Sequence, residues 1–184
     1  MSANTHDNKK APTAVKDLVF TAMFTALIAV CSIISIPIGE VPVTLQTFAI
    51  CLAAAMLGVK RGTLSVLIYI LLGAVGVPVF AGMSGGIGIL AGPTGGYIIG
   101  FILTALVVGF AADHWKRKAL PLTIAMAVGV LLCYAVGTVW FMVVTKMNLG
   151  ESLLLCVVPF LIPDAVKIAL AVILSNRLSK VVTL

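Results

Sequence analysis

Charge is what this sequence has least of. Only 10% of its 184 residues are Asp, Glu, Lys or Arg, where soluble domains carry about a quarter. With 61% hydrophobic residues, too little polar surface is left to clothe a water-facing fold. Most of the outer surface must therefore meet lipid. Between Gly62 and Ala112 there is no Asp, Glu, Lys, Arg or His at all. Catalytic signatures are also missing: no GxxxxGK[ST], HExxH or GxSxG, and no His-Cys-acid cluster at metal-ligand spacing. The chain is thus expected to be no enzyme, to need no cofactor or metal, and to be unable to hydrolyse ATP. No CxxC occurs; Cys31, Cys51, Cys133 and Cys156 all lie in apolar runs and read as small buried hydrophobes. Gly86, Gly88 and Ala91 match the dinucleotide fingerprint formally, but without the soluble strand and following acidic residue that give that motif meaning.

What the sequence has instead is long apolar runs. A membrane span takes about 20 apolar residues, and six candidates are present, at roughly 18–36, 42–59, 62–78, 93–112, 119–145 and 152–178. The expected fold is an all-α integral membrane protein, with a single six-helix domain over 18–184 and a flexible tail over 1–17. The first run is too long for the core of a signal peptide and should stay as an anchor. The net charge of +6 does not argue for nucleic acid, because the basic residues sit in short clusters between spans rather than along one face. Lys9, Lys10, Lys16, Lys60, Arg61, Lys116, Arg117, Lys118, Arg177 and Lys180 all fall on one side if both termini are cytoplasmic, leaving only Lys146 and Lys167 elsewhere. Basic residues stay inside, so cytoplasmic termini are expected. The loop holding His114 and Trp115 is then an interfacial anchor.

The outer connectors become 37–43, 79–92 and 146–151. The first two are rich in Pro and Gly and almost uncharged, which is odd for backbone in water. Such backbone is expected to dip into the protein and line or lid a cavity.

Three segments carry chemistry. In VPFLIPDAVK (158–167), Pro163 suits the first turn of a helix, with Asp164 at its positive end. Lys167, three residues on, shares a face with Asp164. Two readings stand: the pair neutralises itself, or it grips a polar ligand, as ionisable groups at membrane depth often do. In VPVTLQT (41–47), Thr44 and Gln46 place a hydroxyl and an amide near the outer end of the second span; either could serve the helix end or a ligand. In GMSGGIGILAGPTGGYIIG (82–100), Gly92, Gly96, Gly100 and Thr104 form a small-residue row suited to close helix packing. The flanking Ser84, Gly85 and Gly86 could offer N–H groups to a carboxylate, and Tyr97 a ring and hydroxyl. Ala22 and Ala26 form a small face on the first span, suited to internal packing or to docking another membrane subunit.

PVTLQT, GPTGGY and PDAVK, in this order, resemble the BioY family of biotin-specific substrate-binding (S) components of energy-coupling-factor (ECF) transporters. The likeness covers residues 18–180. It implies an S-component fold in a bacterial cell membrane, a biotin site near the outer face, and a partner module of one transmembrane coupling protein and two cytoplasmic ATPases. It also implies ligand roles for Thr44, Gln46, Tyr97, Asp164 and Lys167. Biotin chemistry suits these residues. Asp164 would accept from the ureido N–H groups and Gln46 or Thr44 would meet the carbonyl. Lys167 would brace Asp164 or donate to the ligand. Ser84 and its neighbouring glycines would meet the carboxylate, with Tyr97 packed on the rings. Two alternatives stay open: an S component for another vitamin, such as thiamine or riboflavin, and a self-sufficient proton-coupled carrier using Asp164 and Lys167.

Overall fold

The computed structural model describes residues 11–37, 41–115 and 117–181. It is a bundle of long helices: α1 Ala11–Ile33, α2 Gln46–Ala74, α3 Ile87–Ala91, α4 Gly95–His114, α5 Ala119–Thr145, α6 Leu149–Cys156 and α7 Val158–Val181. Two short strands, β1 Ser35–Ile36 and β2 Val43–Thr44, pair antiparallel with Ser35 opposite Thr44.

The 29 residues of α2 are two rods. Gly58 has φ 75° and ψ −175°, a combination essentially restricted to glycine, and there the chain doubles back. A Cβ placed on Gly62 would lie 2.7 Å from the Cα of Ala54, whereas eight residues of straight helix would hold them about 12 Å apart. Residues 46–57 (α2a) and 59–74 (α2b) therefore run antiparallel, matching the two spans expected at 42–59 and 62–78. With α6 and α7 together forming the last rod, the described residues make a bundle of six rods, in which five helices, α2 counted whole, are long and apolar enough to cross a membrane.

The hairpin tip is held by charges placed according to helix polarity. Asp113, near the end of α4, accepts the Val59 N–H at 2.9 Å, and so caps the start of α2b. Arg117 donates to the carbonyls of Ala55 and Met56 at 3.1 and 2.7 Å, and so caps the end of α2a. Carboxylates at helix starts and cations at helix ends are both favourable.

α2a is the centre of the molecule. Every residue from Ala49 to Leu57 is buried, which explains the run of small and apolar side chains. Against α1, hydroxyls do the joining: Thr25 donates to the Ser65 carbonyl at 3.1 Å and Ser65 to the Thr21 carbonyl at 3.1 Å. The glycine row of α4 packs on α5 as its spacing suggests. A Cβ on Gly100 would sit 3.0 Å from the Cα of Cys133, and Thr104 donates to the Gly129 carbonyl at 2.9 Å. All four cysteines are buried and unbonded to one another.

Two expectations need correction. The helix of the first span begins at Ala11, so residues 11–17 of the expected tail are helical. Ala14, Val15 and Lys16 are exposed on this helix, and Asp17 pairs with Arg61 at 2.8 Å. Residues 1–10 lie outside the described residues, with Lys9 and Lys10, as does Lys116. The last span does break, but at Val157 rather than at Pro163. Pro159 occupies the first turn of α7, where a missing N–H costs nothing. Pro163 lies inside the helix, so the Pro159 carbonyl four residues back loses its usual donor. Asp164 consequently stands in the body of α7 and not at a positive helix end.

Candidate functional site

The chain segments that converge at one end of the bundle are those the sequence singled out. α2a has only 12 residues, about 18 Å of helix, well short of a ~30 Å hydrocarbon core. Its start, carrying Gln46, is therefore recessed below the level reached by its longer neighbours. A cavity of about 180 Å³ lies there, lined by Thr44, Gln46, Ser84, Tyr97, Asp164 and Lys167 among others. Phe80, Ala81 and Ile89 of the uncharged second loop also line it, as expected for backbone that dips inward. Phe80 is 1% exposed and stands edge-on to Tyr69, ring centroids 5.6 Å apart.

Asp164 and Lys167 are 3% and 6% exposed, and Lys167 Nζ donates to Asp164 Oδ1 at 2.7 Å. The other carboxylate oxygen, Oδ2, accepts from the Tyr134 hydroxyl. A carboxylate offers about four lone-pair sites, so two remain for further donors. The residues of this triad are on α5 and α7. Tyr134 does not stand out in the sequence, because the 119–145 run reads as plain lipid-facing span. Its neighbours Gly137 and Thr138 were the signal, since they interrupt that run on the same face.

Gln46 is 6% exposed and donates through Nε2 to the Tyr69 hydroxyl at 2.5 Å. Thr44 lies one residue ahead of the Leu45 N-cap of α2a; its hydroxyl accepts the Gln46 N–H at 3.2 Å and lies 3.4 Å from Gln46 Oε1. The β1–β2 pairing fixes Thr44 at the cavity wall. Tyr97 stands with its hydroxyl 3.1 Å from Thr138 Oγ1. A Cβ on Gly137 would lie 2.3 Å from Cδ1 and Cε1 of the Tyr97 ring, so that glycine sets how closely the ring seats against α5.

Gly85 and Gly86 are not brought to the cavity wall. The Gly86 N–H is donated to the Gly73 carbonyl at 2.6 Å, and a Cβ on Gly85 would lie 2.5 Å from the Val77 carbonyl oxygen. Both glycines serve close loop packing. Ser84 does line the cavity, donating to the Ala81 carbonyl at 2.7 Å. Ala22 and Ala26 are exposed on α1, on a stripe with Val19, Met23 and Val30; Phe24 and Ile28 form the face turned inward. Internal packing therefore does not account for the alanines.

A second, wider hollow of about 690 Å³ lies at the far end of α4 and α5, lined by side chains such as Val59, Phe110 and Leu120. It offers a polar ligand nothing to hold, and the charged, hydrogen-bonded cavity is the candidate site.

This architecture has a close match among solved structures. The crystal structure of the S-component for biotin from an ECF-type ABC transporter superposes with a TM-score of 0.86, at 33% identity, over 97% of this chain and 95% of that one. The fold is thus that of a six-helix, multi-pass S component of a membrane transporter. The family can be given more narrowly. The sequence pattern of the BioY family matches residues 3–184, and the chain belongs to that family. Among its relatives are a probable biotin transporter BioY of Pyrococcus horikoshii, 45% identical over 89% of this chain and 96% of that protein, and the biotin transporter BioY of Thermotoga maritima, 43% identical over 90% and 97%.

Proposed function

We propose that this chain is the biotin-capturing subunit of an ECF-type importer, and that it hands the vitamin to a separate ATP-driven module. The observation that carries the reading is the buried Tyr134–Asp164–Lys167 triad facing a recessed cavity, in a chain whose relatives are named biotin transporters. The ureido ring of biotin has two N–H donors side by side, and the braced carboxylate of Asp164 has two acceptor sites left to receive them. Lys167 holds that carboxylate in place through its hydrogen bond to Oδ1. Gln46, with Thr44 beside it, meets the ureido carbonyl through its second amide N–H. Tyr97 forms the wall against the fused rings, and Ser84 lies where the valeryl carboxylate leaves toward the loop. Apolar neighbours such as Phe160 and Ile98 suit the thiophane and chain.

Both termini lie in the cytoplasm, which puts the cavity on the outer side, where substrate arrives. The chain itself performs no catalysis. Its motor is a transmembrane coupling protein with two cytoplasmic ATPases, and the exposed Ala22–Ala26 face of α1 is where the coupling protein packs, small residues permitting close helix approach.

Reconstitution tests this division of labour. Proteoliposomes holding the chain with the coupling protein and ATPases should accumulate biotin only with ATP. The chain alone should bind biotin without accumulating it. Accumulation by the chain alone, collapsed by an uncoupler, would establish a self-sufficient carrier instead.

A further inference from the structure

We infer that Tyr69, held by Ser32, is a positioning residue that fixes which edge of the Gln46 amide meets the ligand. The inference rests on the biotin reading of the cavity and extends it to residues that do not touch the cavity.

A glutamine side chain can present its carbonyl or its NH₂ to a given neighbour, and the two ends are near in size. What decides between them is the hydrogen-bonding partner. Here that partner is the Tyr69 hydroxyl, on α2b. Tyr69 has one proton, and it is donated to Ser32 Oγ of α1 at 3.0 Å. With that proton committed, Tyr69 can only accept from Gln46, and Gln46 Nε2 is the group found against it, at 2.5 Å. The amide oxygen is turned to the opposite edge, toward Thr44.

All three groups are shielded from water: Ser32 and Tyr69 are 0% exposed and Gln46 is 6% exposed. Tyr69 and Ser32, away from the cavity, have no solvent to substitute for a lost partner. Tyr69 and Ser32 are not among the residues lining the cavity, so their effect reaches the ligand only through Gln46. The chain Ser32, Tyr69, Gln46 thus sets the donor and acceptor pattern presented to the ureido group. It specifies a carbonyl acceptor on the ligand at the point where the second Gln46 N–H emerges.

Changing the ligand's polarity at that point tests the inference. In 2-iminobiotin the ureido oxygen is replaced by a nitrogen that carries protons, so the acceptor becomes a donor. In purified protein, Tyr69→Phe should weaken biotin about tenfold while changing 2-iminobiotin less than twofold. The ratio between the two ligands should therefore fall. The Phe ring keeps the edge contact with Phe80, so the fold has no cause to change. Ser32→Ala supplies an independent route. It leaves Tyr69 in place but frees its proton to turn toward Gln46 Oε1, and it should lower the same ratio. In a Gln46→Ala background, Tyr69→Phe should have no further effect.

Equal weakening of both ligands, or additive losses in the Gln46→Ala background, would overturn the inference and leave Tyr69 a packing residue. Wild-type biotin affinity in Gln46→Ala alone would instead remove Gln46 from the ligand, a failure of the underlying site assignment that the two-ligand comparison keeps distinct.

Discussion

Replacing Asp164 and Lys167 one at a time and then together separates a self-neutralising pair from a ligand grip. The two side chains are 5% and 7% exposed and 2.7 Å apart. Removing either partner strands the other as a buried charge, at a cost of about 3–5 kcal/mol. Asp164→Asn and Lys167→Met should therefore each lower the thermal midpoint of detergent-purified protein substantially. The double variant removes both charges, and exchange of a whole buried pair is often close to neutral. Its midpoint should return most of the way to wild type. Biotin affinity should not return with it. A hydrogen bond to a charged acceptor contributes about 1.5–3 kcal/mol, roughly ten- to 150-fold in affinity, and the Asn amide has a single acceptor oxygen for which Tyr134 and the ureido group compete. Calorimetric titration read beside intrinsic-fluorescence melting gives both quantities on one sample. A double variant that is stable and binds biotin as tightly as wild type would refute the ligand role and leave the pair structural.

Three further outcomes are expected. Gly137→Val pushes a side chain into the Tyr97 ring, so biotin should weaken at least tenfold with the helical circular dichroism unchanged; unaltered affinity would show that the ring is not a ligand wall. Gly58→Ala forces a non-glycine residue into a backbone region costing about 1–3 kcal/mol and against Asp113. Its melting midpoint should fall, and an unchanged midpoint would contradict the glycine-dependent reversal of α2. Ala22→Trp or Ala26→Trp should abolish copurification with the coupling protein while biotin titrates normally, whereas loss of binding as well would mean that this face is needed inside the bundle.

Much of this was legible because lipid imposes a simple pattern. Six spans follow from apolar length. The fifth, 119–145, coincides with α5, since Lys118 and Lys146 bound it. Less legible were boundaries set by single contacts. The reversal of α2 falls at Gly58, just before the Lys60–Arg61 pair that drew attention to the turn, because backbone freedom and not charge decides where the chain can fold back. The break before α7 falls ahead of Pro159, and the more conspicuous Pro163 is carried within the helix. At the site, Thr44, Gln46, Ser84, Tyr97, Asp164 and Lys167 stand out as polar or ionisable residues in apolar surroundings. Tyr134 and Tyr69 do not, because an aromatic ring in a span reads as lipid-compatible and only the three-dimensional packing shows where its hydroxyl goes. Gly85 and Gly86 suggest an anion site through their flexible N–H groups, but the Gly86 N–H goes to the Gly73 carbonyl and Gly85 packs closely on Val77.

The most direct measurement is an equilibrium titration of the purified wild-type chain with biotin, with thiamine and riboflavin in parallel. One tight biotin site per chain is expected, with no comparable binding of the other two vitamins and loss of the biotin site in Asp164→Ala. A well-folded sample that ignores biotin, or binds all three alike, would contradict the biotin-capturing function.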